Sequence, residues 1–259
     1  MRRQSKKHVA VRGITIGGEK PLICLPLMAV GRDELLRRAE RLLALDPDIL
    51  EWRIDGYPGI IGSQVAPLLA ALRQVIGTLP LLFTCRAENE GGLQAMTIER
   101  RLEIIESAVV SGNIDVVDLE LGNGPEIIDR VRKQARGQGC SLLLSFHDFQ
   151  ATPDLERLVA IFSAAQAAGA DIAKVAVMPK TTGDVLTLLS ACDQARQGLV
   201  DIPLVAISMG GLGLISRVAG GLFGSDITFA AGDEASAPGQ LAIGEMRRLM
   251  AAFLGRSDG

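Results

Sequence analysis

The sequence predicts a single (β/α)8 barrel, and three observations lead to this fold class. Strand-like apolar runs alternate with segments of helical period through nearly the whole chain, and eight such pairs can be counted. A chain of 259 residues with 48% hydrophobic residues can build one large core. Consecutive βα units in this number are typical of a closed barrel, whose sites lie at the carboxyl ends of its strands. We therefore expect one domain over residues 1–259.

The predicted elements follow one another along the chain. Residues 9–20 alternate up to Gly17-Gly18 and predict a hairpin that closes the barrel floor. The eight βα units then occupy residues 21–254, and their strand candidates are residues 21–29, 48–55, 80–86, 114–121, 140–147, 171–178, 203–209 and 226–231. Helical spacing of apolar residues is clear in residues 32–45, 63–76, 97–110, 154–168 and 240–254. Ser63, Thr97 and Asp154 are the predicted N-caps.

A doubly wound open sheet is the alternative architecture. Such a sheet usually carries a Gly-rich nucleotide loop after its first strand. Here the first strand ends in Leu27-Met28-Ala29-Val30-Gly31-Arg32, which lacks that loop. The barrel is therefore favoured.

Charge and hydropathy exclude several classes of partner. The formal net charge of −3 gives no basic surface for nucleic acid, and Arg2, Arg3, Lys6 and Lys7 form only a short solvated tail. The N-terminus lacks an apolar signal core, and no segment reaches the ~18–20 apolar residues that span a bilayer. We expect a soluble cytoplasmic protein with no nucleic-acid or membrane partner.

The cysteines and histidines predict neither disulfides nor a metal site. Cys24, Cys85, Cys140 and Cys192 are scattered without metal-ligand spacing, and the chain has only two histidines. The cysteines are interpreted as reduced thiols in a reducing compartment. We expect no metal and no cofactor.

Lys174 is the first candidate for chemistry. It lies in the middle of residues 170–179, a short run rich in Val, Ile and Ala that suits a strand buried on both faces. Burial disfavours the ammonium form of lysine, and a neutral lysine is a nucleophile for carbonyls. The alternative is a lysine whose head reaches water or pairs with a carboxylate.

His147 is the second candidate, because it closes the apolar run of residues 140–147. The other histidine, His8, lies in the basic N-terminal stretch. A histidine at a strand end is commonly structural. Beside an embedded lysine, however, imidazole supplies a proton carrier that titrates near physiological pH.

Strand parity brings further polar groups to the same side. Side chains alternate between the barrel interior and the helix layer. The groups that share inward parity are Glu51 and Arg53, Thr84 and Arg86, Asp118 and Glu120, Ser145 and His147, and Lys174. Inward ion pairs such as Glu51 with Arg53 can be simple neutralisation, and this alternative stays open for Asp118 and Glu120. Five adjacent strands supplying polar groups to one interior favour a functional pocket, because buried charges are costly unless paired.

These residues resemble the type I 3-dehydroquinate dehydratases, the Schiff-base-forming enzymes of the shikimate pathway. The resemblance covers essentially the whole chain. It rests on Glu51-Trp52-Arg53-Ile54-Asp55, Phe83-Thr84-Cys85-Arg86, Glu90-Gly91-Gly92, Asp118-Leu119-Glu120-Leu121, Ser145-Phe146-His147-Asp148-Phe149, Lys174-Val175-Ala176-Val177-Met178-Pro179, Ser208-Met209, Ile215-Ser216-Arg217 and Ala235-Ser236-Ala237-Pro238-Gly239-Gln240.

The resemblance implies a syn elimination of water from 3-dehydroquinate that gives 3-dehydroshikimate. Lys174 would form an imine with the C3 ketone, and His147 would remove the C2 proton and return it to the leaving C1 hydroxyl. Glu90 occupies the position of a glutamate that orients and tunes this histidine. The alternative for Glu90 is an exposed loop carboxylate before Gly91-Gly92.

The resemblance also implies the substrate contacts. Arg217 would bind the carboxylate with help from Ser236 and Gln240 in the last loop, and the alternative for Arg217 is a surface position on a helix. Three more residues would bind the hydroxylated side of the ring, namely Glu51, Arg53 and Arg86. The loop with Ser236 would close over the pocket. A homodimer through outer helices is also implied.

Two positions depart from the family pattern. Pro26 stands where better-known members carry a serine that touches substrate, and Gly211 stands where many members carry a lysine. Neither change removes a catalytic group. They concern affinity and loop behaviour rather than reaction type.

Two other functions compete with the dehydratase. A class I aldolase would also use a strand lysine, but it commonly needs a phosphate site near the last two strands. Here that region offers Arg217 and residues 236–240, which suit a carboxylate better. A non-catalytic protein that binds cyclic polyol acids would form no covalent adduct.

Overall fold

The computed structural model describes residues 3–232 and 239–254. Its main sheet has eight strands in the order β10-β3-β4-β5-β6-β7-β8-β9, and all of its pairings are parallel. The strands are β1 Val9–Val11, β2 Ile14–Ile16, β3 Leu22–Leu27, β4 Ile49–Arg53, β5 Leu81–Thr84, β6 Val116–Glu120, β7 Ser141–Asp148, β8 Ile172–Val177, β9 Leu204–Ser208 and β10 Ile227–Phe229. The predicted (β/α)8 fold class is confirmed.

The barrel closes between its last and first strands. β10 pairs with β3 over Ile227–Phe229, with Ile227 opposite Leu22. Between β9 and β10 a parallel bridge joins Leu204 and Ser225, and the Asp226 N–H donates to the Leu204 carbonyl at 2.6 Å. Closure removes the open edges of the sheet and directs one side-chain face inward.

Helices follow the strands and form the outer layer. They are α1 Arg32–Leu43, α2 Gly62–Ile76, α3 Ile98–Val110, α4 Pro125–Gly137, α5 Leu155–Ala167, α6 Thr182–Gln194, α7 Leu214–Ala219 and α8 Ile243–Leu254. Between strands and helices lies the larger apolar core, where the rings of Trp52 and Phe83 meet edge to face with centroids 5.7 Å apart.

Two of the three predicted N-caps are confirmed and one is wrong. Thr97 and Asp154 accept hydrogen bonds from backbone N–H groups three residues later, at 3.3 and 2.8 Å. Ser63 is not a cap, because α2 begins at Gly62. The Gln64 side chain accepts from the Ile61 N–H at 3.0 Å, and a carboxylate of α3 accepts from the Gly62 N–H at 3.2 Å. α2 therefore begins one residue before the predicted cap, where a side chain of α3 satisfies its first backbone N–H.

The N-terminal hairpin closes the floor of the barrel, as predicted. β1 and β2 pair antiparallel, and Ile16 is completely buried. Ile16 belongs to one apolar cluster with inward residues near the amino-terminal ends of the barrel strands, namely Cys24, Ile49, Leu82, Val116, Leu143, Ile172, Val205 and Ile227. This amino-terminal layer is apolar apart from its thiol. Polar inward side chains begin one step farther along the strands.

Two predictions can be compared with the structure, one about the cysteines and one about membrane-spanning segments. The four cysteines are free thiols, and all are buried. Within residues 3–232 and 239–254, none of the helices combines the length and hydropathy of a membrane span.

We predict that Ile16→Ala destabilises the barrel without touching the polar interior. Truncating a fully buried isoleucine removes apolar contacts and leaves a cavity, at a cost of about 2–4 kcal/mol in the free energy of unfolding. Urea denaturation followed by circular dichroism measures this loss. Leu186→Ala, at a position 64% exposed on α6, is the control and should change the free energy little. Equal stability of the two variants would contradict a floor sealed by Ile16.

Candidate active site

Lys174 lies inside the barrel on β8 and is 6% exposed. On its two sides it is paired with Ser145 of β7 and Val205 of β9. Its Nζ lies 3.7 Å from Oδ2 of Asp118 and 4.5 Å from the centroid of the Phe229 ring. A carboxylate and an aromatic face thus accompany an amine that is almost withdrawn from water.

A buried ion cluster occupies the wall next to Lys174. Arg86 donates from Nη2 to Asp118 at 2.5 Å, and from Nη1 to Glu120 at 3.1 Å and Ser145 at 2.6 Å. Ser145 in turn donates to Oδ1 of Asp118 at 2.6 Å, and Arg101 of α3 donates to Glu120. The interior position predicted for Arg86 is correct, but its guanidinium is held by protein carboxylates.

The charges of this cluster hold its carboxylates ionised. Burial by itself raises the pKa of Asp118, but Arg86, Lys174 and the Ser145 hydrogen bond more than offset it, so the pKa lies below its usual value. Burial likewise acts against ionised Glu120, and Arg86 and Arg101 reverse the effect and lower its pKa. Both groups are therefore anions at neutral pH.

The two predicted binding residues of β4 have different partners. Glu51 is buried and accepts a hydrogen bond from Thr84 at 2.9 Å. Arg53 forms a forked pair with Asp55, at 2.9 Å from Nε and 2.8 Å from Nη2, rather than with Glu51. Arg53 also donates to the carbonyl of Gly91 at 3.2 Å. It therefore ties β4 to the turn that carries Glu90.

Glu90 and His147 form a hydrogen-bonded pair, and Glu90 is buried rather than an exposed loop carboxylate. Oε2 of Glu90 accepts from the backbone N–H of His147 at 2.9 Å and lies 3.0 Å from Nδ1 of the ring. An ionised carboxylate only accepts, so Nδ1 carries the proton and Nε2 keeps its lone pair. This tautomer leaves Nε2 able to accept a proton.

Gly91 shapes the turn that carries Glu90, and any other residue at this position would strain the backbone. Gly91 adopts φ +87°, and a Cβ at this position would lie 2.4 Å from the ring of Phe149. That ring stacks on His147 with centroids 6.5 Å apart. Backbone and ring together therefore hold the Glu90 and His147 pair in one arrangement.

Burial shifts the pKa values of this pair in opposite directions. Burial, followed by repulsion from Arg86, Lys174 and Arg53, lowers the pKa of His147 well below its usual value, so the imidazole is neutral at neutral pH. Burial raises the pKa of Glu90 to about 7, although Arg86 opposes this rise. A neutral histidine beside a carboxylate near its titration point is the arrangement expected of a general base and its orienting acid.

Phe229 connects Lys174 to the predicted carboxylate-binding side. Arg217 of α7 is 2% exposed, so it is not a surface residue, and its Nη1 donates to the Phe229 carbonyl at 3.3 Å. Burial lowers the pKa of Arg217 to about 10. Gln240 lies at the same end of the barrel, because the neighbouring Leu241 carbonyl accepts from the Ala231 N–H at 2.7 Å. Ser236 falls outside the described residues.

Sequence reasoning missed three residues that shape the site. Arg101 stands one turn from Ile105 on the buried face of α3, and a basic residue in an apolar helix face was the available signal. Asp55 follows the end of β4, and its role as the partner of Arg53 was not recognised. Phe229 has the inward parity of β10, but no pattern showed that its ring would meet Lys174.

The described part of the chain contains no group of three or more His, Cys, Asp or Glu side chains arranged to hold a metal ion. The polar interior contains ion pairs and a buried amine. An amine with an imidazole on the adjacent strand can act as a nucleophile with a proton carrier.

A family model with the description Type I 3-dehydroquinase matches residues 23–256 of the sequence. The chain belongs to the type I 3-dehydroquinase family. The match spans every barrel strand and confirms the predicted family and its enzyme class, a hydro-lyase.

Relatives of this type I 3-dehydroquinase chain agree along nearly its full length. The 3-dehydroquinate dehydratase of Geobacillus thermodenitrificans is 45% identical over 252 residues, which cover 96% of this chain and 97% of that protein. A 3-dehydroquinate dehydratase structure from Geobacillus kaustophilus superposes with a TM-score of 0.95 at 43% identity, covering 99% and 100% of the two chains. A type I structure from Clostridium difficile, with covalently modified comenic acid, gives 0.92 at 35% identity, covering 96% and 98%.

We predict that the acid limb of the pH profile of this type I 3-dehydroquinase reports Glu90. As pH falls through about 7, Glu90 takes up a proton and can donate to Nδ1, which moves the histidine proton to Nε2 and removes the base. Dehydration activity therefore rises with pH through this window. Glu90→Gln should lower kcat about tenfold or more and remove this limb.

The measurement is kcat/KM against pH, and Glu88→Gln is the matched control because Glu88 is exposed on the same turn. The control should keep the wild-type profile. An acid limb that is unchanged in Glu90→Gln would show that another group titrates.

Proposed function

We propose that this protein dehydrates 3-dehydroquinate to 3-dehydroshikimate, in the shikimate pathway, through an imine on Lys174. The observation that carries the proposal is the pairing of a buried amine on β8 with the Glu90 and His147 pair on the neighbouring strand. Ser145 is opposite Lys174, so His147 lies two residues farther along β7 with the same inward parity. The position of Lys174 also contributes to the lowered pKa of His147, which supports their proximity.

The steps follow from these groups. Neutral Lys174 adds to the C3 ketone to give a carbinolamine. The carbinolamine takes up one proton from water and loses water, which leaves an iminium that withdraws electrons from C2. Nε2 of His147 removes the C2 proton, which gives an enamine. The enamine expels the C1 hydroxyl, and His147 returns its proton to this leaving group. Hydrolysis of the imine then releases product and restores the amine.

A single histidine on one face of the substrate ring favours a syn elimination of water. His147 acts as base and then as acid, so both transfers take place on the face that it occupies. The tautomer fixed by Glu90 presents the same Nε2 for both steps. No second proton donor is required.

Arg217 is the proposed carboxylate site. Its burial lowers the pKa to about 10, and an anionic ligand would compensate the charge that burial destabilises. Gln240 and Ser236 are proposed to assist from the last loop. On the opposite side, Glu51 accepts one hydrogen bond from Thr84, and its remaining lone pairs suit a ring hydroxyl.

Arg53 and Arg86 are proposed to act at the same side with part of their donor capacity. Each already donates to a protein carboxylate. Their first effect is therefore to hold the wall of the pocket. The homodimer, the cytoplasmic location and the absence of a nucleic-acid partner stay predictions.

A borohydride experiment separates the dehydratase from a binding protein and from an aldolase. The protein is incubated with 3-dehydroquinate and sodium borohydride, and intact mass and product absorbance are measured. We expect a reduced adduct at Lys174 and an absorbing conjugated enone. Lys174→Ala should lose both signals, because Lys174 is the only buried lysine among the residues that the structure describes.

Lys180→Ala is the matched control, since Lys180 is an exposed lysine just after β8. It should keep both adduct and enone. An adduct without enone would favour an aldolase, and binding without an adduct would favour a non-catalytic protein.

We predict that His147→Ala still forms the adduct but turns over very slowly. Addition depends on Lys174, whereas elimination depends on a base and acid worth about 10²–10⁴-fold in rate. Stopped-flow absorbance and borohydride trapping report the two steps separately. His8→Ala, at the other and exposed histidine, should behave like the wild type. Normal turnover in His147→Ala would rule out this histidine as the proton carrier.

A further inference from the structure

Asp118 lies at ion-pair distance from Lys174, the proposed nucleophile. It lies on β6, is 2% exposed, and has Oδ2 3.7 Å from Nζ of Lys174. β7 separates its strand from β8, so the contact crosses the barrel interior rather than following a strand pairing. It is therefore set by the inward parity of both residues.

We propose that Asp118 is a positioning residue for Lys174: an anchored negative charge that stabilises the cationic iminium on Nζ. This role rests on the proposed function, because it concerns the intermediate that Lys174 forms. It adds to that function a group that neither binds substrate nor transfers a proton.

The side chain of Asp118 is fixed from two neighbouring strands. Oδ1 accepts from Ser145 of β7 at 2.6 Å, and Oδ2 accepts from Arg86 beyond β5 at 2.5 Å. Ser145 itself accepts from Arg86 at 2.6 Å. Three side chains thus form a closed triangle, and a carboxylate with both oxygens engaged cannot swing toward solvent. A charge held in this way is already oriented when the iminium forms.

Asp118 is not suited to act as the base. Its lowered pKa makes it a weak proton acceptor, and both oxygens are already occupied by donors. A stable anion instead favours positive charge nearby. The iminium that Nζ forms with the substrate carries that charge.

The charge balance of the cluster allows Lys174 to change charge. Arg86 and Arg101 contribute two positive charges and Asp118 and Glu120 two negative charges, so the wall is neutral without Lys174. A neutral amine therefore leaves no carboxylate unpaired. When Nζ becomes cationic, Asp118 is the negative group at ion-pair distance.

Other charged or titratable side chains share this interior. They are Cys24 on β3, Glu51 and Arg53 on β4, Arg86 after β5, Glu120 on β6, His147 on β7 and Arg217 on α7. In Asp118→Asn all of them remain, and only the nearest negative charge is lost. The wall then becomes net positive.

The test measures the fraction of protein that borohydride traps as imine at equilibrium with 3-dehydroquinate, at one fixed pH. In Asp118→Asn we expect this fraction to fall about tenfold, since the iminium loses its negative partner. An asparagine that only weakened packing would lower the free energy of unfolding without changing the imine fraction.

Asp226→Asn is the matched control. Asp226 is equally buried and pairs with Arg196 at 2.6 Å, but at the amino-terminal end of the barrel. It should lose stability without changing the imine fraction. If Asp118→Asn does not fold, the double variant Arg86→Gln with Asp118→Asn removes one charge of each sign. Its imine fraction should also fall, but less, because the loss of the Arg86 cation offsets part of the loss of the Asp118 anion.

The outcomes separate this role from the function on which it rests. No adduct in the wild type would overturn the proposed function, and the role of Asp118 with it. An adduct in the wild type with an unchanged imine fraction in the folded Asp118 variant would overturn only the role of Asp118.

Discussion

The ion cluster of Arg86, Asp118, Glu120 and Arg101 is the interaction on which the interior depends. Ionised groups lose much of their hydration when they are buried, and they are tolerated only when partners replace the water. Here each carboxylate has an arginine, and the wall is neutral in sum. A lysine can therefore lie beside this wall, 6% exposed, without an isolated charge in the core.

The same dependence on neighbouring charges explains the arrangement of Glu90 beside His147, the proposed proton carrier. Glu90 is buried like its neighbours, but it faces a neutral imidazole instead of an arginine, and burial raises its pKa to about 7. Asp118 and Glu120 are held ionised by arginines, whereas Glu90 titrates near neutral pH. The neighbours of each buried carboxylate therefore decide its protonation state. Asp118 and Glu120 keep a constant negative charge, whereas Glu90 gains or loses a proton near neutral pH.

Local pattern was sufficient for most of the fold. Apolar runs and helical spacing located the strands and helices to within a few residues, because burial on one or two faces imposes a period on the sequence. The alternation of side chains along each strand then predicted that Lys174, His147 and the inward carboxylates share the barrel interior. Ser63 was the exception among the caps, since the start of α2 is satisfied by Glu103 from another helix.

The sequence by itself determined the barrel, its inward polar face, the family, and the two residues proposed for the chemistry. These follow from periodicity and from motifs, which are properties of the chain read in order. The tertiary structure alone decided the partners: Asp55 rather than Glu51 for Arg53, Arg101 for Glu120, and Phe229 beneath Lys174. The physical reason is that ion pairing and desolvation depend on distances between side chains far apart in sequence, which no local pattern encodes.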